Sequence, residues 1–184
     1  MKKIIPLVLL TLLVTAQTRS YAQEKFGNSL NLGVGLGYYG HVPGAIPAFN
    51  VNYEFDVGRN FTLAPFVTAF TYRNYYYWGD ANNSYREYSY QRTVVPIGVK
   101  GTYYFDELFN AGDKWDFYAA GSVGFAIVTT NYEEGYGGDR GIYNGVSPLY
   151  IDAHIGSEFH MTKTLGLYLD LSTGLSTFGL AVHL

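Results

Sequence analysis

The sequence contains no cysteine and little charge. Charged side chains make up 15% of its 184 residues, and methionine and tryptophan occur only twice each. The absence of cysteine excludes disulfides, thiol catalysis and a lipid-modified cysteine anchor. Helical periodicity, which a soluble domain of this length would normally show, is also missing, and a period of two dominates instead. The chain therefore reads as one all-β domain.

Long apolar runs are confined to the N-terminus. Two lysines at positions 2 and 3 precede an apolar segment that ends at Ala16, and Ser20-Tyr21-Ala22 places small residues before a cleavage point. This is the pattern of a secretory signal peptide, and its apolar core is shorter than the about 20 residues that a membrane helix needs. We expect residues 1–22 to be a signal peptide and residues 23–184 to form the mature domain, with cleavage after Ala16 as the alternative.

Positive charge is scarce in the expected mature domain. Loss of Lys2, Lys3 and Arg19 reduces the 12 basic residues to nine, against 15 acidic ones. A nucleic-acid-binding domain would carry a basic face. The charge balance therefore argues against a nucleic-acid partner.

What the sequence has in quantity is alternation of apolar with small or polar residues. Side chains two apart share one face of a strand, so each alternating segment predicts a strand with one apolar face. Tilted strands of about ten residues are long enough to cross a membrane. The sequence predicts about eight of them, at residues 29–39, 46–56, 61–72, 91–105, 115–128, 149–159, 165–171 and 175–184.

The alternation predicts a closed antiparallel transmembrane β-barrel. Closure pairs every strand, so that no backbone edge is left unsatisfied in lipid. In the third strand either face is apolar enough to meet lipid, and we expect the face with Leu63, Pro65, Val67 and Ala69 to do so. Aromatic residues at the inner strand ends predict an interfacial girdle formed by Phe55, Phe61, Phe105, Trp115 and Phe159.

The last ten residues have the pattern of a closing strand. Thr177, Gly179, Val182 and Leu184 match a polar-x-Gly-x-x-apolar-x-apolar ending. This ending resembles the closing strand of outer-membrane β-barrels, although that family usually ends in Phe rather than Leu. The resemblance implies that the barrel-assembly machinery reads Gly179, Val182 and Leu184 as an assembly signal.

Across the expected mature chain, the pattern resembles the small OmpA/OmpX-type barrels. The resemblance implies that the protein lies in the outer membrane of a Gram-negative bacterium and contacts its lipid. It is a likeness of architecture, because no motif in the sequence identifies one member of that group.

Seven of the ionisable residues on the predicted lumen faces are candidates for one shared network. Buried charges must be paired or they cost much stability, so these residues predict a polar network inside the barrel. In particular, Lys100 should pair with one or more of Glu54, Asp152 and Asp170. The full set is Glu54, Lys100, Asp116, Asp152, His154, Glu158 and Asp170.

Sequence patterns of chemical sites occur, but they do not meet the requirements of those sites. Residues 35–40 match G-x-G-x-x-G, but His41-Val-Pro cannot begin the helix that dinucleotide binding needs. Ser157 is an odd number of residues from His154, so the two side chains point to opposite faces and cannot act together with Glu158 as a triad. We therefore expect no catalytic residue and no cofactor.

A metal site is also not predicted. Asp152, His154, Glu158 and His160 share one face of the sixth strand. Neighbours on one face of a strand lie about 7 Å apart, too far for two of them to bind one ion without help from other strands.

Two long segments, residues 74–89 and 129–147, are predicted as outer loops. Loops on a rigid scaffold usually carry specificity, so we expect a non-enzymatic protein that supports envelope integrity or contacts an unknown surface ligand. The alternatives are a membrane-embedded lipid-modifying enzyme and a narrow pore. Tyrosine and tryptophan favour recognition surfaces and lipid interfaces equally, and the first loop carries Tyr75, Tyr76, Tyr77, Trp78, Tyr85 and Tyr88.

Overall fold

The computed structural model describes residues 28–37, 46–58, 60–80, 84–105, 114–138 and 148–184. The expected signal peptide and most of the connecting segments lie outside these residues, as does half of the glycine-rich stretch 35–40. No helix in the described part of the chain is long and apolar enough to cross a membrane. The strands are β1 (Ser29–Gly37), β2 (Ile46–Gly58), β3 (Phe61–Trp78), β4 (Arg86–Tyr104), β5 (Trp115–Tyr132), β6 (Leu149–His160), β7 (Leu165–Ser172) and β8 (Leu175–His183).

These eight strands form one closed barrel. Each strand pairs antiparallel with the next, and β8 returns to pair with β1. The closing ladder runs in register from Ser29 opposite His183 to Gly37 opposite Leu175. Closure leaves no open sheet edge, which is the condition for a sheet to span lipid. The prediction of a closed antiparallel barrel of about eight strands is confirmed.

The two faces of the barrel wall differ in polarity. Even-numbered residues of β2 to β7 and odd-numbered residues of β1 and β8 point inward, and many of them are polar yet buried. Large apolar side chains such as Phe49, Phe125 and Ile151 stand on the outside. An apolar exterior around a polar interior is the arrangement of a transmembrane β-barrel. The expected orientation of β3 is confirmed, since Val67 is exposed while Phe66 and Phe70 are buried.

One end of the barrel carries the aromatic girdle. This end, where β1 begins and β8 ends, is named the lower rim, and the opposite end is the upper rim. The Trp115 ring packs against Phe117 and Phe159, with centroids 6.1 and 4.9 Å apart. Phe61 and Tyr103 are exposed at the same level of the barrel. Aromatic side chains are enriched at the membrane–water interface, so this level is expected to lie there.

The strands on one side of the barrel are far longer than those on the other. β3, β4 and β5 have 18, 19 and 18 residues, whereas β7 has 8 and β8 has 9. Because about 9–11 residues cross a membrane, the long strands project beyond the upper rim. The projection, formed by residues 74–78, 86–90 and 130–138, is named the upper extension.

The upper extension corrects the predicted loops. Residues 74–78 and 86–89 are strand rather than loop, and they pair from Asn74 opposite Tyr90 to Trp78 opposite Arg86. Residues 129–132 are also strand and pair with β4. The loop prediction is wrong there because it took the loss of apolar alternation as a sign of a loop. Tyrosine is a good strand former even where that alternation is absent. Of the second predicted loop, residues 139–147 lie outside the described residues.

Candidate functional site

The middle of the lumen is built around Asp170 of β7. Lys100 Nζ lies 3.3 Å from Asp170 Oδ2, and the Tyr118 hydroxyl donates to the same oxygen at 3.1 Å. The other carboxylate oxygen lies 2.7 Å from His154 Nδ1. The structure thus brings three of the predicted lumen residues together, and it pairs Lys100 with one of its three expected partners.

Ser122, His154 and Asp170 are hydrogen-bonded in the same order as the residues of a catalytic triad. Ser122 Oγ on β5 is 2.8 Å from His154 Nε2 on β6, and His154 Nδ1 contacts Asp170 on β7. Serine, base and orienting carboxylate meet in this order in many hydrolases. Sequence reasoning missed Ser122 because the three residues lie on three strands, and only their registers bring them together.

The space beside Ser122 is too small for acyl-transfer chemistry. The lumen cavity lined by Ser122, His154, Lys100 and Tyr168 has a volume of about 20 Å³. A volume of that size holds about one water molecule, not an ester group and its acyl chain. The arrangement therefore works as a buried hydrogen-bonding group that joins β4 to β7.

Asp152 lies above this group and holds the turn between β7 and β8. Its Oδ1 accepts hydrogen bonds from Thr173 Oγ1 at 2.6 Å and from the Gly174 amide at 2.8 Å. Its Oδ2 accepts from Tyr150 and Ser172 hydroxyls at 2.9 and 2.8 Å. A carboxylate with four donors is fully satisfied. Asp152 therefore stabilises the turn at the upper rim and does not pair with Lys100.

Glu54 forms a separate group toward the lower rim. It accepts from Asn31 Nδ2 at 3.1 Å and from the Tyr104 hydroxyl at 2.7 Å, and it also contacts the Thr62 hydroxyl. These contacts tie β1, β2, β3 and β4 together inside the lumen. The predicted lumen residues are therefore distributed over several local groups along the barrel axis.

The last two predicted lumen residues meet histidines at the lower rim. His160 Nε2 lies 2.7 Å from Asp116 Oδ2, and His183 Nε2 lies 2.6 Å from Glu158 Oε1. The two imidazole rings are themselves 5.0 Å apart between centroids. His183 did not emerge as a site residue from the sequence, because its partners lie on a strand that is not its neighbour.

Aromatic rings fill the inner side of the upper extension. Tyr76 stacks on Tyr90 with centroids 4.6 Å apart, and Tyr132 stacks on Tyr136 at 5.1 Å. Trp78 meets Tyr136 edge-on at 5.6 Å. Offset and edge-on pairs of this kind stabilise by more than their area alone. We name these residues, together with Tyr88, the inner aromatic cluster.

Tyr136 enters the cluster because of a glycine. Gly135 has a φ of +85°, a left-handed conformation that favours glycine, and it turns the chain back after β5. The turn is closed by a hydrogen bond of 3.2 Å from the Tyr136 amide to the Glu133 carbonyl. Sequence reasoning missed Tyr132 and Tyr136, because it placed both in an acidic, glycine-rich loop.

Charged side chains fasten this turn to β4. Glu133 Oε2 accepts from the Ser89 amide at 2.8 Å and from its hydroxyl at 3.0 Å. Arg86 lies 3.8 Å from Glu133 and stacks over the Tyr88 ring at 4.2 Å. The hydrogen bonds from Ser89, followed by the nearby guanidinium, lower the pKa of Glu133. The carboxylate is thus ionised and holds the turn in place at neutral pH.

The outer side of the upper extension presents tyrosines to solvent. Tyr75, Tyr77 and Tyr85 are 58%, 70% and 67% exposed, and the Tyr77 and Tyr85 rings stack on each other at 6.0 Å. The six predicted recognition residues therefore divide into two sets of three. Tyr76, Trp78 and Tyr88 pack inward, and only Tyr75, Tyr77 and Tyr85 are available to a partner.

The residues of the expected assembly signal lie on the closing strand. Gly179 faces the lumen opposite Gly33, and Val182 is half-buried on the outer face opposite Leu30. Leu184 follows β8 and is exposed, and its amide bonds to the Asn28 carbonyl at 2.9 Å. The apolar residues of the signal are thus on the side of β8 that faces away from the lumen.

Comparisons with known proteins concern the architecture. No protein-family model matches the chain, and neither does any curated protein. A designed transmembrane β-barrel is similar to it at 9% identity and a TM-score of 0.46, over 87% of this chain and 98% of that one. Ail, the attachment invasion locus protein of Yersinia pestis, is similar in two structures. The structure with the heparin analogue sucrose octasulfate has 6% identity and a TM-score of 0.45, over 84% of this chain and 95% of that one. The structure in a phospholipid bilayer nanodisc has 10% identity and a TM-score of 0.44, over 84% and 97%.

Proposed function

We propose that this protein is a non-enzymatic barrel of the Gram-negative outer membrane that makes surface contacts through its upper extension. The observation that carries the proposal is the row of exposed tyrosines, with Tyr75 and Tyr77 on β3 and Tyr85 directly before β4, where these strands project beyond the membrane-crossing length. Exposed aromatic rings on a rigid frame bind partners at a small cost in side-chain entropy. The upper extension would then face outward from the cell, and the lower rim would face the periplasm.

The inner aromatic cluster supports this role by making the projecting hairpin rigid. A two-stranded ribbon alone is marginally stable in water. Here β5 pairs with β4 at the base of the hairpin, up to Tyr132 opposite Tyr90, and the packed rings of Tyr76, Tyr90 and Tyr132 cover one face there. The exposed tyrosines therefore stand on a preformed surface, which lowers the entropy cost of binding.

The barrel itself would contact lipid and, during biogenesis, the barrel-assembly machinery. The apolar exterior supports the lipid contact, and the outward placement of Val182 and Leu184 supports their role as an assembly signal. We expect the protein to fractionate with the outer membrane and to migrate differently on a gel before and after boiling, because a closed barrel resists detergent until it is heated. Recovery as a soluble periplasmic protein would overturn the proposal.

The function of the upper extension is tested by shortening its hairpin in register. The β3–β4 ladder pairs Asn74 with Tyr90, so replacing residues 75–89 by Asn-Gly keeps this pair on either side of a two-residue turn. Replacing residues 74–89 instead leaves Asn-Gly-Tyr90 as a three-residue loop between the paired residues Arg73 and Gln91, which keeps the same register. Both variants should assemble and lose surface binding.

Substitution of the exposed rings gives a finer test. The triple variant Tyr75→Ser, Tyr77→Ser and Tyr85→Ser should abolish binding to an array of extracellular-matrix proteins and surface polysaccharides. Tyr103→Ser is the control, since Tyr103 is comparably exposed at 53% but lies at the lower rim. Binding that survives the triple variant, or an envelope phenotype that survives hairpin shortening, would move the function to the barrel wall and favour a role in envelope integrity.

A further inference from the structure

The lower rim concentrates ionisable side chains from three strands. Glu158 and His160 lie on β6, His183 on β8 and Asp116 on β5. One ligand atom from each of Glu158, His160 and His183 lies within 4.8 Å of those of the other two. On β6 itself the Glu158 carboxylate and the His160 imidazole approach to 3.8 Å, and the closed barrel adds the third donor, His183 of β8.

Gly166 of β7 allows β6 and β8 to meet. β7 separates these two strands, and Gly166 pairs with His160 on one side and Ala181 on the other. A Cβ at position 166 would collide with the Glu158 carboxylate. The glycine thus leaves room for Glu158 to cross β7 and reach His183.

The hydrogen bonds already direct the donor atoms toward one point. Asp116 accepts the Nε2–H of His160, which leaves the Nδ1 lone pair of that ring available. This Nδ1 lies 3.8 Å from Glu158 Oε1, and His183 Nε2 lies 2.6 Å from the same oxygen. Carboxylates that fix the tautomer of a ligand histidine in this way are typical of metal sites.

The register also places two carboxylates face to face. Asp116 lies directly opposite Glu158 in the β5–β6 ladder, and both point inward. Like charges directly opposite each other destabilise a sheet. Each of these carboxylates contacts one imidazole, at 2.7 Å for Asp116 and 2.6 Å for Glu158, and a bound divalent cation would add positive charge beside them.

We propose that Glu158, His160 and His183 bind a divalent transition-metal ion, with zinc as the best fit and Asp116 as the residue that positions His160. Two imidazoles and one carboxylate are a common donor set for zinc with one open position. Tetrahedral bonds of 2.0–2.1 Å require donors about 3.4 Å apart. The two imidazole nitrogens lie 2.6 and 3.8 Å from Glu158 Oε1, on either side of that value, and all three donors lie within 4.8 Å of one another.

The site is open to solution and independent of the proposed surface function. The His160 and His183 side chains are 23% and 16% exposed, so an ion can enter from the rim. The ion would join β6 to the closing strand β8 across β7. It lies at the end of the barrel opposite the upper extension, so loss of one site should leave the other unchanged.

The test uses the refolded, metal-free barrel titrated with zinc chloride by calorimetry and with cobalt chloride by visible absorption. We expect one zinc ion per chain, a four-coordinate cobalt spectrum and a higher thermal unfolding temperature with zinc. Asp116→Asn should weaken zinc binding about 10–100-fold, as loss of an orienting carboxylate does elsewhere. His160→Ala and His183→Ala should weaken it more than that.

Two further variants separate a metal site from ordinary histidine–carboxylate pairs. Gly166→Ala should weaken zinc binding without removing any ligand, because the added methyl forces the Glu158 carboxylate to move. His154→Asn is the matched control, since it removes a histidine–carboxylate pair from the same lumen and should bind zinc as the native barrel does. Assembly of each variant is checked by its heat-dependent gel mobility.

If the variants fail to assemble, the zinc titration and the cobalt spectrum of the native barrel still test the proposal. Absence of saturable zinc binding, or a cobalt spectrum of the six-coordinate hydrated ion, would overturn the proposal. Zinc binding that is unchanged in an assembled His183→Ala variant would overturn it equally.

Discussion

The lumen and the upper extension use tyrosine in opposite ways. In the lumen, the hydroxyl of Tyr118 donates to Asp170, and the rings fill the space between strands. In the extension, Tyr77 and Tyr85 stack ring on ring, and most of their surface remains in solvent. The same residue type thus holds the wall together in the lumen and presents a surface on the outer side of the extension, and the level along the strand and the face it occupies together decide which.

Access to water explains the difference. The buried lumen hydroxyls of Tyr104, Tyr118 and Tyr150 have little water beside them, and each donates to a carboxylate. Tyr75, Tyr77 and Tyr85 on the outer side of the extension are exposed to water, so their rings remain available to pack or to bind. The comparison predicts that substitutions in the wall and lumen change stability, whereas substitutions on the outer side of the extension change binding.

The largest effect on stability is expected on the lipid face. Ile155 is 59% exposed and pairs with Ala119 and Leu171, above the aromatic girdle. Ile155→Arg should lower the free energy of unfolding by about 2–4 kcal/mol, because it places a charge near the middle of the bilayer. Tyr77→Arg on the extension is the control and should have almost no effect. If urea titrations in lipid gave equal losses of unfolding free energy for both variants, the wall and the extension would not differ in this respect.

The next effect concerns the buried ion pair of the lumen. Lys100→Met removes the ammonium from Asp170, which keeps the donors from His154 and Tyr118. We expect a loss of about 1–3 kcal/mol, the cost of leaving a buried polar group short of one partner. Lys163→Met in an exposed turn should change stability by less than about 0.5 kcal/mol. Unfolding curves that shift equally for both variants would contradict the paired lumen.

A smaller effect is expected for Ser122, which distinguishes a hydrogen-bonding residue from a nucleophile. Ser122→Ala removes the bond to His154 Nε2 and should cost about 0.5–1.5 kcal/mol. The native barrel should not react with a fluorophosphonate probe, because the adjacent cavity of about 20 Å³ cannot admit it. Labelling that depends on both Ser122 and His154 would instead establish an enzyme.

The smallest effect is a pH dependence of the upper extension. The hydrogen bonds from Ser89 lower the pKa of Glu133, so its stabilising effect is present above the ordinary glutamate pKa of about 4.3 and is lost as the pH falls through the lowered value. The protection of the Ser89 amide against hydrogen exchange, relative to its intrinsic rate at each pH, should therefore be high at neutral pH and lower in acid. Glu133→Gln should speed this exchange at neutral pH. Glu134→Gln is the control. An equal effect from it would show that the protection does not depend on the hydrogen bonds between Glu133 and Ser89.

The architecture was predictable from the sequence because it follows from a local rule. Side chains alternate along a strand whatever its neighbours are, so the period of two placed Val67 and Ile155 outside and Lys100 and Asp170 inside. The strand count and closure follow, since an apolar face on every segment requires lipid outside and pairing at every edge.

The length of the long strands was not predictable from alternation alone. In residues 74–78, aromatic and polar residues occupy both faces, so no apolar face marks them as strand. They are strand because β4 pairs with them and because the rings of Tyr90 and Tyr136 pack onto Tyr76. Tertiary contacts thus stabilise an element that its own sequence does not specify.

The candidate sites were decided entirely by tertiary structure. A strand places its side chains on a face, but the relative height of two strands that are not neighbours depends on every register between them. Ser122, His154 and Asp170 meet only because the registers of β5, β6 and β7 align them. His183 reaches Glu158 across β7 only because closure fixes the height of β8 and Gly166 leaves the gap. The sequence by itself determined which face each residue occupies, and the closed barrel determined which residues face each other across it.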